Sequence, residues 1–408
     1  MKTKYALIGE KLSHSFSPPI HKMLGNSSYS LYELPPSELE GFIRSGEYEG
    51  LNVTIPYKSA VMPFIDEISS EAEKIGSVNT VVRKNGRLFG CNTDYYGFSY
   101  MAKRAGISFE GKKVIILGSG GTSLTAQAVC YDCGAREIKV ISRTGKENYE
   151  NINRHYDAEI IVNTTPVGMY PDTDGSPIEL TDFKKLDGVI DVIYNPLRTT
   201  LLCYAKKLGV KYTNGMPMLV AQAKKAHELF FDCECDDFII EDIITRISRK
   251  KQNIVFVGMP GSGKSTTAQL AKENTGMTVF DTDREVERKE KRSIPEIFAT
   301  DGEEYFRRLE SEVISELSKK NGIIISTGGG AVLMEENRIN LMHNGFVIML
   351  KRPLKLLSTK GRPLSRDRAS LYEMAKIRFP LYEEMADAKL GVYTDIEHTK
   401  RSLGRIIK

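Results

Sequence analysis

No stretch of the chain approaches the roughly 20 consecutive apolar residues that a membrane-crossing helix needs, so no membrane span is expected. An excess of one charge is also missing. Lysine and arginine total 57 against 53 aspartates and glutamates, a formal net charge of +4. That mild positive balance helps to attract anionic small molecules but gives no case for a nucleic-acid or membrane partner. Cysteine is sparse, at six residues. Cys130 and Cys133 have CxxC spacing and Cys233 and Cys235 lie close together, but a zinc or redox site calls for a second pair at ligand spacing or a thioredoxin-like context. Neither is present, so the thiols are expected to be reduced and free of metal, as in a cytoplasmic protein. The chain enters a strand-like run at Tyr5, which leaves no room for a signal peptide. No tandem repeat or low-complexity tract interrupts it.

What is present is the composition of a soluble globular protein, 41% hydrophobic and 27% charged. At 408 residues, two or three compact units are expected. Three places combine a short β-branched strand, a glycine-bearing turn and a helical pattern. They are Tyr5–Ile8 with Gly9, Val114–Leu117 with Gly118–Gly121, and Ile254–Val257 with the run from Gly258 to Ser265. This alternation marks α/β units with parallel sheets. The basic run from Ile247 to Asn253 reads as a solvated join between units.

In the second unit, Gly118, Gly120 and Gly121 let the backbone approach a pyrophosphate at a helix N-terminus, with Ser119 in the same turn. The next strand ends in Ser142-Arg143-Thr144, where an NAD site usually carries an acidic residue for the ribose 2′-hydroxyl. An arginine beside hydroxyls suits a 2′-phosphate instead, and Lys146 adds to it, so NADP is the expected cofactor. In the third unit, the stretch from Gly258 to Ser265 is a full GxxxxGKS. The loop amides of Gly261, Ser262, Gly263 and Thr266 cradle phosphates, Lys264 reaches the β/γ oxygens and Ser265 ligates Mg²⁺, so ATP or GTP binding follows.

Several polar clusters have no evident structural reason: SHSFSP at 13–18, NVTIPYK at 52–58, SVNT at 77–80 and GCNTD at 90–94. Each alone is more often a turn than a site, and NVTIPYK reads as a strand ending in a lysine. Together with GSGG at 118–121, NTTPVGM at 163–169 and NGMPMLVAQA at 214–223, they follow in order the motifs of shikimate dehydrogenases. The resemblance runs from the N-terminus to about residue 230. It implies that Ser15 and Ser17 meet the carboxylate of 3-dehydroshikimate. Thr54, Asn79, Tyr194 and Gln222 meet its other polar groups. Lys58 and Asp94 form the catalytic pair, and Gly215 joins the cofactor set. A lysine held by an aspartate can orient on a ketone oxygen, stabilise charge there and exchange the proton.

From 253 to about 390 the chain resembles shikimate kinases, through FDTD at 280–283, FRRLE at 306–310, STGGG at 326–330, GRPL at 361–364 and RFPLY at 378–382. The resemblance implies a shikimate carboxylate gripped by Arg307 and Arg378, with the amides of Gly329 and Gly330 close to the ring. Asp283 bonds the ring hydroxyls and assists deprotonation, Asp281 holds Mg²⁺ through water, and Arg362 in a lid around 355–370 stabilises the transferring phosphoryl group. Arg308 and Glu310 read as helix-surface charges outside the site.

The expected architecture is α/β throughout. A substrate domain at 1–101 and 216–248 encloses a Rossmann-like NADP domain at 102–215. A linker at 249–252 leads to a three-layer, nucleoside-monophosphate-kinase-like P-loop domain at 253–408. The helical stretches 221–231 and 237–247 are expected to pack back on the substrate domain and bring Gln222 to the cleft. The expected activities are NADPH-dependent reduction of 3-dehydroshikimate and ATP-dependent phosphorylation of shikimate, with small molecules as the partners. An NAD-using quinate/shikimate dehydrogenase, a catalytically dead module and a nucleoside- or gluconate-type kinase are the alternatives. Arg143, the intact catalytic residues and the glycine triplet with its two arginines speak against them in turn.

Overall fold

A computed structural model describes residues 4–12, 15–357, 368–392 and 395–407. The chain divides into two compact units, Met1–Ile247 and Ser248–Lys408. Among the described residues no helix is long and apolar enough to cross a membrane.

The first unit holds two sheets. One has six strands: β1 (Tyr5–Gly9), β2 (Tyr29–Glu33), β3 (Gly50–Val53), β4 (Glu67–Ile68), β5 (Thr80–Lys84) and β6 (Arg87–Cys91). Their order is β2-β1-β3-β5-β6-β4, and β5 runs antiparallel to both β3 and β6. The β5–β6 reversal is made by Asn85 and Gly86, both at positive φ (51° and 78°), as a two-residue Asn-Gly hairpin turn requires. That register sets Thr80 opposite Cys91, so the motifs at 77–80 and 90–94 become neighbours.

The second sheet has five parallel strands, β7 (Lys113–Leu117), β8 (Glu137–Ile141), β9 (Ile160–Asn163), β10 (Gly188–Asp191) and β11 (Lys211–Thr213), in the order β11-β10-β9-β7-β8. Strand β7 is buried throughout. Val114 and Ile116 face one core cluster, Ile115 and Leu117 another, which is why the strand is apolar without alternation from Val114 onward. The first cluster also contains Phe98 and Met101 from the helix Thr93–Arg104 and Met218 from the helix Met216–Phe231. These helices meet at Gly97, where a Cβ would lie 2.6 Å from the Met218 carbonyl oxygen and 3.0 Å from Gln222 Cβ. The glycine therefore permits the approach that carries Gln222 toward the first sheet.

The second unit has one parallel sheet, β12 (Asn253–Val257), β13 (Thr278–Asp281), β14 (Ile323–Ser326), β15 (Gly345–Lys351) and β16 (Ala388–Gly391), ordered β13-β14-β12-β15-β16. In both parallel sheets the strand before the glycine turn lies between two strands consecutive in sequence, β7 between β8 and β9 and β12 between β14 and β15. The turn thus opens at a topological switch point, where α/β sheets bind ligands.

Two expectations are corrected. Lys58 is not on a strand, because β3 ends at Val53 and the lysine follows in a turn. The expected linker at 249–252 is helical as far as Lys251, the last residue of the helix Phe238–Lys251. Lys251 there is buried, which pushes its ammonium down to about 8.

Candidate active sites

The first unit contains a cleft of about 500 Å³. Ser15, Ser17, Thr54, Lys58, Asn79, Asp94, Tyr194, Gly215 and Gln222 all line it, together with Lys11, Phe16 and Met218. Asp94 stands in the first turn of the helix Thr93–Arg104, where the helix N-terminus favours a carboxylate. Asn92 caps that helix by accepting the Tyr95 N–H at 3.3 Å. Lys58 Nζ donates to Asp94 Oδ2 at 2.6 Å, and the two side chains are 20% and 11% exposed.

Asn79 Oδ1 accepts from the Thr93 N–H at 2.7 Å, and from the hydroxyls of Thr80 and Thr93. Its oxygen is thus committed inside the protein, and the NH₂ is what Asn79 has left to offer a ligand. Ser15 Oγ accepts the Ser17 N–H at 3.2 Å, which draws the two serines together. Tyr194 packs edge-on against Phe16, and burial raises the affinity of its phenol for its proton. Of the motif at 13–18, Ser13 and His14 lie outside the described residues.

The expected cofactor residues gather at the C-terminal ends of β7 and β8. Gly118 turns the chain at φ 99°, and Gly121 opens the helix Gly121–Asp132 with Gly120 as its cap. Ser119, Gly120 and Gly121 are exposed, and a Cβ on either glycine would meet nothing within 4 Å. The turn is open to a ligand. Beyond β8, Arg143, Thr144 and Lys146 are exposed, Ser142 is half-buried, and Arg143 is in no ion pair among the described residues. An unpaired guanidinium with hydroxyls beside it fits a 2′-phosphate better than a 2′-hydroxyl.

The second unit contains a cleft of about 710 Å³. It is lined by Gly261, Gly263, Lys264, Ser265 and Thr266 of the loop, by Asp281 and Asp283 after β13, by Gly328–Gly330, and by Arg307 and Arg378. Ser262 is buried beneath the loop, and its hydroxyl finds no partner among the described residues. Gly261 and Gly263 sit at φ 78° and 98°, conformations open to glycine at no steric cost. Lys264 Nζ is held by the carbonyls of Gly258 (2.9 Å) and Met259 (3.1 Å), poised over the loop. Ser265 Oγ and Ser326 Oγ both donate to Asp281 Oδ2, at 2.8 and 2.9 Å. A carboxylate and a hydroxyl beside a phosphate loop form the hard-oxygen donor set that suits Mg²⁺.

At the opposite end, Arg307 Nη1 donates to Glu310 Oε2 at 2.7 Å, and Arg378 Nη1 to the Gly329 carbonyl at 3.0 Å. Glu310 is only 1% exposed. This corrects the reading of Glu310 as a surface charge: it faces the cleft and holds Arg307. Burial raises its carboxyl above the usual range, and the charge of Arg307 opposes that. Asp283 is raised too, by burial and then by the charge of Asp281, against Lys264 and Arg307. A Cβ on Gly328 would come within 2.6 Å of both the Asp283 and Glu310 carboxylates, so the triplet opens space for them.

Arg352, whose Nη1 donates to the Gly261 carbonyl at 3.4 Å, also lines this cleft. No motif drew notice to Arg352. The signal available for Glu310 was its place three residues after Arg307 on one helix face. Arg362 and most of the expected lid lie outside the described residues.

Both units have relatives among known proteins. A family model for the shikimate dehydrogenase substrate binding domain matches residues 7–81, and one for shikimate kinase matches residues 260–407. A shikimate dehydrogenase (NADP(+)) of Clostridium beijerinckii is 38% identical over 259 residues, covering 59% of this chain and 96% of that protein. The crystal structure of shikimate 5-dehydrogenase from Thermus thermophilus, in complex with NADP(H) and shikimate, is 32% identical with a TM-score of 0.55. That match covers 60% of this chain and 98% of the other. A chorismate mutase/shikimate 5-dehydrogenase fusion protein from Clostridium acetobutylicum is 35% identical with a TM-score of 0.58, over 61% and 98%. Through its first unit the chain belongs to the shikimate dehydrogenase family, and with the shikimate kinase domain that follows it is a fusion of two shikimate-pathway enzymes.

Proposed function

We propose that the first unit reduces 3-dehydroshikimate to shikimate with NADPH, and that the second phosphorylates the 3-hydroxyl of shikimate with Mg-ATP. The observation that carries the first half is the Lys58–Asp94 contact of 2.6 Å inside a cleft lined by hydroxyls and amides. When bound, NADPH supplies the hydride, and the remaining work belongs to the side chains. Lys58 directs its N–H at the ketone oxygen, stabilises the charge that develops there and gives up a proton. Asp94 orients the ammonium. Ser15 and Ser17 bind the carboxylate, while Thr54, Asn79, Tyr194 and Gln222 meet the remaining polar groups of the ring. Arg143, with Ser142, Thr144 and Lys146 around it, holds a 2′-phosphate and favours NADP over NAD.

In the second unit Arg307 and Arg378 hold the carboxylate of shikimate, and Glu310 fixes the first of them. Asp283 accepts a hydrogen bond from the attacking hydroxyl and takes its proton. Its raised proton affinity brings it nearer to that task than an ordinary aspartate. Lys264 and the loop amides bind the β/γ phosphates. Ser265 and Asp281 would hold Mg²⁺, which supplies charge neutralisation on those phosphates when bound. Arg362, outside the described residues, is assigned to the transferring phosphoryl group. Domain limits of 1–101 with 216–248, 102–215 and 253–408 accompany this reading.

Product analysis tests it. The chain incubated with 3-dehydroshikimate and NADPH should yield shikimate, and addition of Mg-ATP should convert that to a mono-phosphorylated product. Failure to consume 3-dehydroshikimate, or a phosphate appearing on another hydroxyl, contradicts the respective half.

A further inference from the structure

The helix Met216–Phe231 ends at Asp232, which adopts the left-handed conformation (φ 50°) and turns the chain back over the helix end. The Cys233 N–H then donates to the Glu228 carbonyl at 3.1 Å, and the Cys235 N–H to Glu228 Oε1 at 2.9 Å. Glu228 is itself buried and fixed by Lys224 at 2.7 Å and Lys225 at 3.1 Å. The result is that a ring nitrogen of His227 and the two sulfurs of Cys233 and Cys235 all lie within 4.8 Å of one another. In a tetrahedral zinc site with Zn–S of about 2.3 Å and Zn–N of about 2.0 Å, one nitrogen and two sulfurs are about 3.5–3.8 Å apart. Small side-chain rotations close the difference.

The imidazole supplies a second observation. His227 is 8% exposed, and its Nδ1 is buried without a hydrogen-bond partner among the described residues. The carbonyl end of the helix and the carboxylates of Glu234 and Asp236 lie in the same turn, while Asp232 pairs with Lys84 at 2.9 Å. The adjacent ammonium group of Lys224 is engaged by Glu228 and Asp237.

We propose that this turn is a zinc site, with His227, Cys233 and Cys235 as three protein ligands and a fourth position left for water or an external ligand. Two thiolates and an imidazole select a thiophilic ion over Mg²⁺ or Ca²⁺. Binding releases two thiol protons, so a site built from Zn²⁺, two thiolates, a neutral histidine and water carries no net charge. The sequence alone set these cysteines aside for want of a second cysteine pair. The helix supplies the third ligand instead. His227 lies five residues beyond Gln222 on the same helix, so an occupied site pins the far end of the element that lines the dehydrogenase cleft. The inference does not rest on the substrate of either cleft.

The test is a Co²⁺ titration of the reduced, metal-stripped full chain, followed by displacement with Zn²⁺. One equivalent should bind with a sulfur-to-cobalt charge-transfer band and the intense visible bands of tetrahedral cobalt. Cys233→Ser, Cys235→Ser and His227→Asn should each weaken binding by more than the roughly 10–100-fold that loss of a ligand's outer hydrogen bond costs. Cys233 is exposed, so its serine variant probes ligation without disturbing the core, and Cys133→Ser, also exposed, should leave the spectrum unchanged. The proposal is overturned if the reduced chain takes up no metal, or if cobalt binds without the thiolate band. Persistence of the band in the Cys233→Ser/Cys235→Ser double variant overturns it as well.

Discussion

Lys58 and Asp94 stand 36 residues apart in the chain, yet the ammonium reaches the carboxylate at 2.6 Å in the wall of the first cleft. The Asn85-Gly86 hairpin brings the segment before Asp94 beside β5, and the turn after β3 delivers Lys58 to it. If Asp94 orients Lys58 for proton transfer, Asp94→Asn keeps the shape and removes the charge. Shikimate-dependent NADP⁺ reduction should then fall about 10²–10⁴-fold in kcat, with ADP release by the kinase unchanged. Steady-state kinetics of both reactions check this, and an unaltered dehydrogenase kcat would count against the pair.

Arg143 is exposed at the end of β8 in no ion pair among the described residues. Replacing it with aspartate puts an acceptor where NAD sites carry one and a repulsive charge where a 2′-phosphate would lie. Arg143→Asp should raise KM for NADP⁺ about 10–100-fold, the worth of a charge-assisted hydrogen bond, and improve turnover with NAD⁺. Equal losses with both cofactors would place the arginine elsewhere in function.

Glu310 holds Arg307 at 2.7 Å from a buried position in the kinase cleft. Glu310→Gln leaves the shape but takes the charge from behind the guanidinium. KM for shikimate should rise about 10–100-fold while KM for ATP stays within twofold of wild type. A change confined to ATP would reverse the assignment of the two ends of that cleft.

Asp191 is fully buried at the end of β10 and accepts from Thr199 Oγ1, the Ile193 N–H and Asn163 Nδ2. Burial outweighs those donors and raises its carboxyl from 3.8 to about 6. Between these values the unfolded chain has lost the proton and the folded chain keeps it, so this group's contribution to stability falls as pH rises through that window. Asp191→Asn does not titrate. Its melting temperature should gain on that of the wild type between pH 4 and pH 6 and then hold a constant offset. Thermal melts at intervals across that range decide it, and a difference that stays flat or runs the other way contradicts the burial argument.

Much of this was legible in the chain itself. Strand β7 announces its burial on both faces by four consecutive apolar residues, Val114–Leu117, and the glycine turns after β7 and β12 mark both switch points. The polar segments were readable as a set only through resemblance, because Lys58, Asn79, Asp94 and Gln222 meet by tertiary packing that no local period encodes. Lys58 in particular reads as a strand residue, although Thr54 and Pro56 interrupt the apolar run between it and β3. Glu310 was missed because a helix-surface charge and a buried one share the same local sequence. Its burial is decided by the Gly328–Gly330 turn packing over it. The cluster at His227 was missed for a related reason: the left-handed turn at Asp232, a residue with no glycine signal, folds both cysteines onto the helix.

The central claim is two independent enzymes on one chain, and a paired assay tests it most directly. NADP⁺ reduction with shikimate and ADP release with shikimate and Mg-ATP would be followed on the wild type, Lys58→Ala and Lys264→Ala. Each substitution should abolish its own reaction and spare the other. Shikimate supporting neither reaction in the folded wild-type chain would contradict the account.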